Sequence, residues 1–274
     1  MFFLVESTLP LQLGSLFAIL AIPTWLFVAR QLYKSYKESE SKTTKYLSFG
    51  LVFGALAVLF LALEQVFLLI FDGGTEKGSK YIPTEIISGY NSAEFSLLFA
   101  YLALALSAVA ILYFDLFSLS FFEKRWARFL PLLLGLLLFL YVLVFFFTPN
   151  EWRVNVAGTD FDLEHFEYTP VLFLLFVFPL IAPVIILLIS TYQVRSQSTY
   201  AFRRTLLITF AQFLLTIGYL VEILGSDIFS TTFKIEFGVA DYAITFGRLF
   251  IFIYPAIAYQ GINPSERIKR ILGA

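Results

Sequence analysis

The chain has 274 residues, of which 59% are hydrophobic and only 14% are charged, and its formal net charge is −1. A soluble domain of this size carries about 25% charged residues, so the composition argues against a soluble domain. The near-neutral net charge says nothing about partners. The sequence has no cysteine and one histidine, His165, which excludes disulfides, thiolate metal sites and multi-histidine centres. We expect no metal, no other cofactor and no nucleic acid.

Seven apolar runs are each long enough to cross about 30 Å of hydrocarbon as a helix. Because a backbone exposed to lipid must satisfy its own hydrogen bonds, we predict that all seven are α-helical. The runs cover approximately residues 9–29, 46–71, 88–118, 129–148, 169–192, 205–225 and 239–260. The predicted fold class is an all-α integral membrane protein, in which residues 1–274 form a single seven-helix membrane domain of the cell membrane.

The connections between these runs alternate in charge. Lysine and arginine concentrate in residues 30–45, 124–128, 195–204 and 267–270, whereas the other connections carry only Lys77, Lys80, Arg153 and Lys234. Cytoplasmic loops of membrane proteins hold the excess of basic residues. The pattern therefore predicts an amino terminus outside and a carboxyl terminus inside, which requires an odd number of spans.

A short amphipathic helix is predicted over residues 265–272, after Pro264. Ile268, Ile271 and Leu272 share one face at helical spacing, and basic residues line the other. Such a helix lies on an anionic inner leaflet, so the lipid bilayer is an expected partner along this surface. A frayed polar tail is the alternative.

The seven spans, the outside amino terminus, the basic inner face and the amphipathic tail resemble the seven-transmembrane sensor modules that precede histidine kinases in prokaryotes. The local pattern Gly247-Arg248…Tyr254-Pro255…Tyr259 accompanies this architecture. The resemblance covers the whole chain and implies a signalling sensor, here without an output domain of its own. It carries over no functional residue.

Ionisable and polar side chains within the predicted spans form the candidate site. At 1.5 Å per residue, Arg248 lies about 13 Å below the outer end of its helix, near the midplane, and the acidic residues lie above it in the outer half. A guanidinium at that depth costs roughly 3 kcal/mol on insertion scales, so it needs partners. We predict a ligand or ion pocket formed by Glu64, Asn91, Glu94, Glu222, Asp241 and Arg248.

Four carboxylates around one guanidinium leave an excess of negative charge. Either some acids are protonated or a cationic ligand shares the site. The alternative is a structural ion-pair network that holds the second, third, sixth and seventh helices together. Asp115, near the inner end of the third helix, is expected to be solvated. Thr209, Gln212 and Thr216 are expected to form packing hydrogen bonds.

The leading hypothesis is a receptor-like membrane sensor. A small cationic or amphipathic ligand would enter the pocket from outside, and a separate cytoplasmic or membrane partner would read the change. A proton- or cation-coupled channel or carrier is one alternative, and a non-catalytic scaffold subunit, as a homo-oligomer, is another. The chain offers no nucleophile–base pair and no metal set, so we predict no catalytic residues and no enzyme activity.

Overall fold

The computed structural model describes residues 9–71, 85–87, 90–122, 129–147, 169–227 and 237–273. These ranges contain seven helices of 18 to 31 residues and one short final helix. The helices are α1 (Leu9–Ser39), α2 (Lys42–Phe71), α3 (Ser92–Leu119), α4 (Leu130–Phe147), α5 (Thr169–Val194), α6 (Thr199–Asp227), α7 (Phe237–Ile262) and α8 (Glu266–Leu272). Between α2 and α3, strands β1 (Glu85–Ile87) and β2 (Tyr90–Asn91) pair antiparallel, with Ile87 opposite Tyr90.

The predicted helical character is confirmed, and several boundaries differ, most clearly in α1 and α3. Helix α1 continues past residue 29 to Ser39, through the basic segment, and α3 begins at Ser92 because residues 90–91 belong to the hairpin. Within the described ranges, five helices are long and apolar enough to span a membrane, and α4 adds the shorter apolar segment Leu130–Leu143. The described part of the chain is thus almost wholly helical, with several helices suited to a bilayer.

The long helices form a ring. Helix α1 packs against α2 and α7, α2 packs against α3, α6 packs against α5 and α7, and α3 also contacts α5. Helix α4 stands outside this ring, against α3 and α5. Helices α6 and α7 approach each other backbone to backbone, because a Cβ added to Gly218 would lie only 2.8 Å from the carbonyl oxygen of Gly247.

Hydrogen bonds between helix ends show that α2 and α3 run in opposite directions, as do α6 and α7. Thr43, near the start of α2, is 2.9 Å from the hydroxyl of Ser120, just after α3. Arg204, near the start of α6, donates to the carbonyls of Gly261 and Ile262 at the end of α7. We call the end of the bundle that carries α8 the α8 end. It is the end predicted to face the cytoplasm.

The outward surfaces of the helices are apolar. Leu132 of α4 is 71% exposed and Leu174 of α5 is 65% exposed, among many large aliphatic and aromatic side chains on the same surfaces. Apolar patches of this extent are unfavourable in water and mark contact with a membrane or a partner. The exposed pattern therefore fits helices surrounded by lipid.

Candidate functional site

A cavity of about 150 Å³ lies inside the ring of helices. Its wall is mostly aliphatic and comes from α1, α2, α3 and α7, with Phe176 of α5 and Tyr219 of α6 completing it. The polar side chains on this wall are Ser107, Tyr219 and Arg248. A mainly apolar pocket with a few convergent polar groups is the usual form of a small-molecule site.

Arg248 supplies the charge of this wall. Its side chain is only 7% exposed. Gly14 of α1 packs against the arginine, since a Cβ on Gly14 would lie 3.4 Å from Arg248 Cδ and 3.3 Å from the hydroxyl oxygen of Thr245. A guanidinium in such surroundings is weakly solvated, so its interactions with nearby charges are strong.

The other residues of the predicted pocket fall at the opposite end of the bundle from α8. Their side chains lie outside the described residues, so the shared pocket and the ion-pair network both stay predictions. Along the backbone, Glu222 is one turn further from the α8 end than Tyr219, and Asp241 is two turns further than Arg248. The remaining members are Glu64 on α2, Asn91 in β2 and Glu94 on α3.

The solvent exposure of Asp115 differs from our prediction. We predicted a solvated side chain, but Asp115 is 0% exposed. Neither of its carboxylate oxygens has a hydrogen-bond partner within the described part of the chain. Leu119, one turn later on α3, packs with Leu134 of α4 and Ile186 of α5. The helices around α3 therefore exclude water from a position close to its end, and distance from the helix end alone did not reveal this.

Three aromatic rings lie between the cavity and the α8 end. Trp25 of α1, Phe114 of α3 and Tyr254 of α7 lie in mutual contact, with ring centroids 6.3, 5.7 and 5.6 Å apart. We call these three residues the aromatic cluster. All are at most 1% exposed. On α3 the cluster lies two turns closer to the α8 end than Ser107, so it lies below the cavity without lining it.

Two glycines of α2 make room for this cluster. A Cβ on Gly54 would lie 2.0 Å from the ring of Trp25, and a Cβ on Gly50 would lie 2.7 Å from the ring of Phe114. The spacing Gly50-x-x-x-Gly54 is one that often allows close helix packing in membranes. The structure shows that the space is filled by aromatic side chains from the two neighbouring helices.

A hydrogen bond ties the aromatic cluster to the cavity wall. The indole N–H of Trp25 donates to the carbonyl oxygen of Ile251 at 2.9 Å, and Ile251 also lines the cavity. In a regular helix this carbonyl would accept from the N–H four residues later, but that residue is Pro255. The proline frees the carbonyl, and Trp25 satisfies it.

A polar seam joins α5, α6 and α7 below the cavity. The hydroxyl of Thr216 donates to the Leu180 carbonyl at 3.2 Å, and Thr209 pairs with Thr191 at 2.9 Å. The hydroxyl of Tyr254, in the aromatic cluster, donates to Gln212 Oε1 at 3.2 Å. The expectation that α6 uses its polar residues for packing bonds is confirmed.

At the α8 end, one arginine holds the end of α7. Arg204 donates from Nε to the Gly261 carbonyl at 2.7 Å and from a terminal nitrogen to the Ile262 carbonyl at 2.6 Å. These carbonyls have no partner within α7, so the guanidinium caps the helix. On α8, a hydrogen bond from Lys269 to Glu266 raises the pKa of Lys269, which keeps positive charge on this surface.

Comparisons with known proteins give this site no precedent. A scan against protein-family models, a search of curated proteins and a search of solved structures each found no match. Among the described residues, no group of three or more His, Cys, Asp or Glu side chains is placed to hold a metal ion. The function must therefore be argued from the cavity and its surroundings.

Proposed function

We propose that the protein is a seven-transmembrane, receptor-like sensor that binds a small ligand in the cavity beside Arg248 and signals through a separate partner. The observation that carries this proposal is a buried guanidinium on the wall of an otherwise apolar cavity. An ionisable side chain inside a membrane domain marks a functional site more often than a packing role. In this proposal the amino terminus lies outside, all seven long helices span the membrane, and the ligand enters from outside.

The aromatic cluster favours binding over conduction. Its three rings are almost fully buried directly below the cavity and contact one another. Well-packed aromatic rings leave no continuous water path through the described part of the bundle. A ligand that enters from outside would therefore stop above this cluster.

The contacts below the cavity offer a route by which binding could change the α8 end. Ile251 touches both the cavity and, through its carbonyl, Trp25. Tyr254 touches Trp25 and Gln212 of α6. Pro255 weakens α7 at the same level, which allows its two halves to change their angle. In this proposal, a change in that angle moves Arg204, α8 and the basic surface that the partner reads.

Ligand-induced thermal stabilisation tests the proposal. The full-length chain in lipid nanodiscs would be heated with a panel of small amphiphiles of each charge, and its unfolding followed by tryptophan fluorescence. Ala57→Leu, which fills the cavity, is the matched variant. We expect at least one compound to raise the Tm of the natural chain but not of Ala57→Leu. Equal shifts in both proteins, or no shift with any compound, would refute the cavity as the site.

A proton- or cation-coupled carrier is the second candidate, and Asp115 is the observation that favours it. A carboxylate that is fully buried and without a described partner is costly in a membrane domain unless it has a use. Proton flux into proteoliposomes tests this candidate. We expect a conducting protein to lose flux in Asp115→Asn and to keep it in Ser118→Ala, a neighbouring buried polar residue. A natural chain that moves no protons or cations under any gradient would exclude it.

A further inference from the structure

We infer that one phospholipid with an anionic headgroup binds the outer surface of α1, α2 and α3 near the α8 end. Its phosphate contacts Lys37 and Lys45, and an acyl chain follows a row of aromatic rings that begins beside these two lysines. The site is separate from the cavity, and lipid binding there needs no ligand in the cavity.

Five aromatic side chains form a continuous row across these three helices. Tyr33 of α1 contacts Tyr36 at 6.0 Å between ring centroids and Phe49 of α2 at 6.3 Å. Tyr113 of α3 stacks on Phe49 and on Phe53, at 5.5 Å from each. Tyr33 is 40% exposed, and the other four rings are half-buried. We call these five residues the aromatic row. It presents ring surface to the surroundings of the bundle.

Two lysines lie over tyrosine rings of the aromatic row. Lys37 Nζ is 5.2 Å from the centroid of the Tyr33 ring, and Lys45 Nζ is 5.5 Å from the centroid of the Tyr36 ring. A cation within about 6 Å of a ring face is attracted to it, so both ammonium groups are held in place before a lipid binds. Neither lysine forms an ion pair within the described residues, so their charge is available to an anion.

The connection between α1 and α2 has an excess of positive charge. Residues 30–45 contain five basic residues and two acidic ones, Glu38 and Glu40, which gives a net charge of +3. Basic residues beside a membrane attract anionic headgroups. The charge of this connection therefore favours an anionic lipid over a zwitterionic one.

The length of the aromatic row favours a lipid over a soluble anion. Lys45, Phe49 and Phe53 are four residues apart on α2, so they share one face and cover about 12 Å along the helix. One hydrocarbon leaflet is about 15 Å deep. A molecule with a negative charge at one end and an apolar chain behind it matches this surface, whereas inorganic phosphate would contact only its charged end.

Native mass spectrometry of the full-length chain in detergent micelles tests this site, with phosphatidylglycerol and phosphatidylcholine of identical acyl chains as probes. We expect phosphatidylglycerol to bind about tenfold or more tightly than phosphatidylcholine. Lys37→Gln/Lys45→Gln should weaken phosphatidylglycerol binding about tenfold and leave phosphatidylcholine binding unchanged. An excess of inorganic phosphate should not displace the lipid.

The matched control is Lys34→Gln/Lys42→Gln, which removes the same charge from the same connection. Both lysines are exposed and lie over no ring within the described part of the chain. This double variant should weaken phosphatidylglycerol binding less than twofold. Equal losses in the two double variants would overturn the site, because the headgroup would then respond only to the diffuse charge of the surface. Equal binding of the two lipids to the natural chain would overturn it as well.

A second pair of variants tests the rings. Tyr33→Leu keeps an apolar side chain but removes the ring under Lys37, so it should weaken phosphatidylglycerol binding about threefold or more. Tyr192→Leu is the control, because Tyr192 is an exposed tyrosine of α5 that lies under Arg195, and it should leave binding unchanged. Equal binding to Tyr33→Leu and to the natural chain would also overturn the site.

Discussion

Pro255 and Trp25 illustrate how one residue can replace a helix hydrogen bond from outside the helix. Pro255 has no N–H to give to the Ile251 carbonyl, and the Trp25 indole occupies that carbonyl at 2.9 Å. If Trp25 is replaced, a buried carbonyl loses its partner, which costs about 1–3 kcal/mol. The bond is therefore a specific connection between α1 and the middle of α7.

A double-mutant cycle tests this connection. Trp25→Phe keeps an aromatic ring and should lower the free energy of unfolding by about 1–3 kcal/mol. Pro255→Ala restores the backbone N–H, so it should recover part of that loss in the double mutant. We expect a coupling of about 1 kcal/mol between the two positions, measured by reversible unfolding in mixed micelles. Additive effects would mean that the indole bond and the proline are unrelated.

Two glycines with different surroundings test how closely Trp25 packs against α2. Gly54→Ala would place a methyl group 2.0 Å from the Trp25 ring, whereas Gly135→Ala on α4 meets only a terminal methyl of Leu112 at 3.5 Å. We expect Gly54→Ala to reduce the free energy of unfolding by about 1–3 kcal/mol through overpacking. Gly135→Ala should be neutral or slightly stabilising, since alanine favours a helix. Similar effects at both positions would contradict the close packing of Trp25 against Gly54.

At the residue scale, the sequence identified only part of the site. Arg248 was evident because a charge within a long apolar run is rare. Trp25, Phe114 and Tyr254 were hidden among many aromatic residues, 34 of them phenylalanine. Their role depends on three separate helices meeting at one level. The spacing of residues within one helix cannot show which side chains of other helices they contact. Pro255 was a sequence clue to the freed carbonyl, but the identity of its donor required the fold.

At the scale of the helix, the sequence predicted the positions of the helices well and some of their ends poorly. Apolar runs end where the bilayer ends, but α1 continues to Ser39 because its basic residues are also good helix formers. The helix then turns at Glu40, whose φ of 54° lies in the left-handed region. Glycine is the usual residue in that conformation at a helix end, and none stands there to signal it.

The hydrogen bonds of Arg204 connect α6 to the end of α7, next to α8. Arg204→Gln should lose at least one of the two bonds to the Gly261 and Ile262 carbonyls. The end of α7 should then fray, and α8 should become more mobile. The chain has no cysteine, so a spin label on Arg267→Cys reports α8 alone. We expect a more mobile spectrum in Arg204→Gln than in Lys34→Gln, a control at the same end of the bundle. Identical spectra would show that Arg204 does not hold α8.

For the whole molecule, the order of helices and the charge of the connections predict one orientation. Basic residues surround the α8 end, including Lys34, Arg195 and Arg270, so this end should face the cytoplasm. Single cysteines tested with an impermeant maleimide on intact cells check this. We expect Gly158→Cys to react from outside, and Glu38→Cys and Gln197→Cys to react only after lysis. The reverse labelling pattern would mean that the protein has the opposite orientation in the membrane. A single exception would mean that the number of spans differs from seven.

The proposed function depends on a cavity beside Arg248 that is reached from outside and closed toward the α8 end. Ser107 lines the cavity, and Ser118 is a buried serine three turns further along α3 toward the α8 end. The most direct measurement is the reaction of Ser107→Cys and Ser118→Cys with a small anionic methanethiosulfonate added outside right-side-out vesicles. We predict that Ser107→Cys reacts and Ser118→Cys does not. An unreactive Ser107→Cys, or equal reaction at both positions, would contradict the cavity as an outward-facing binding site.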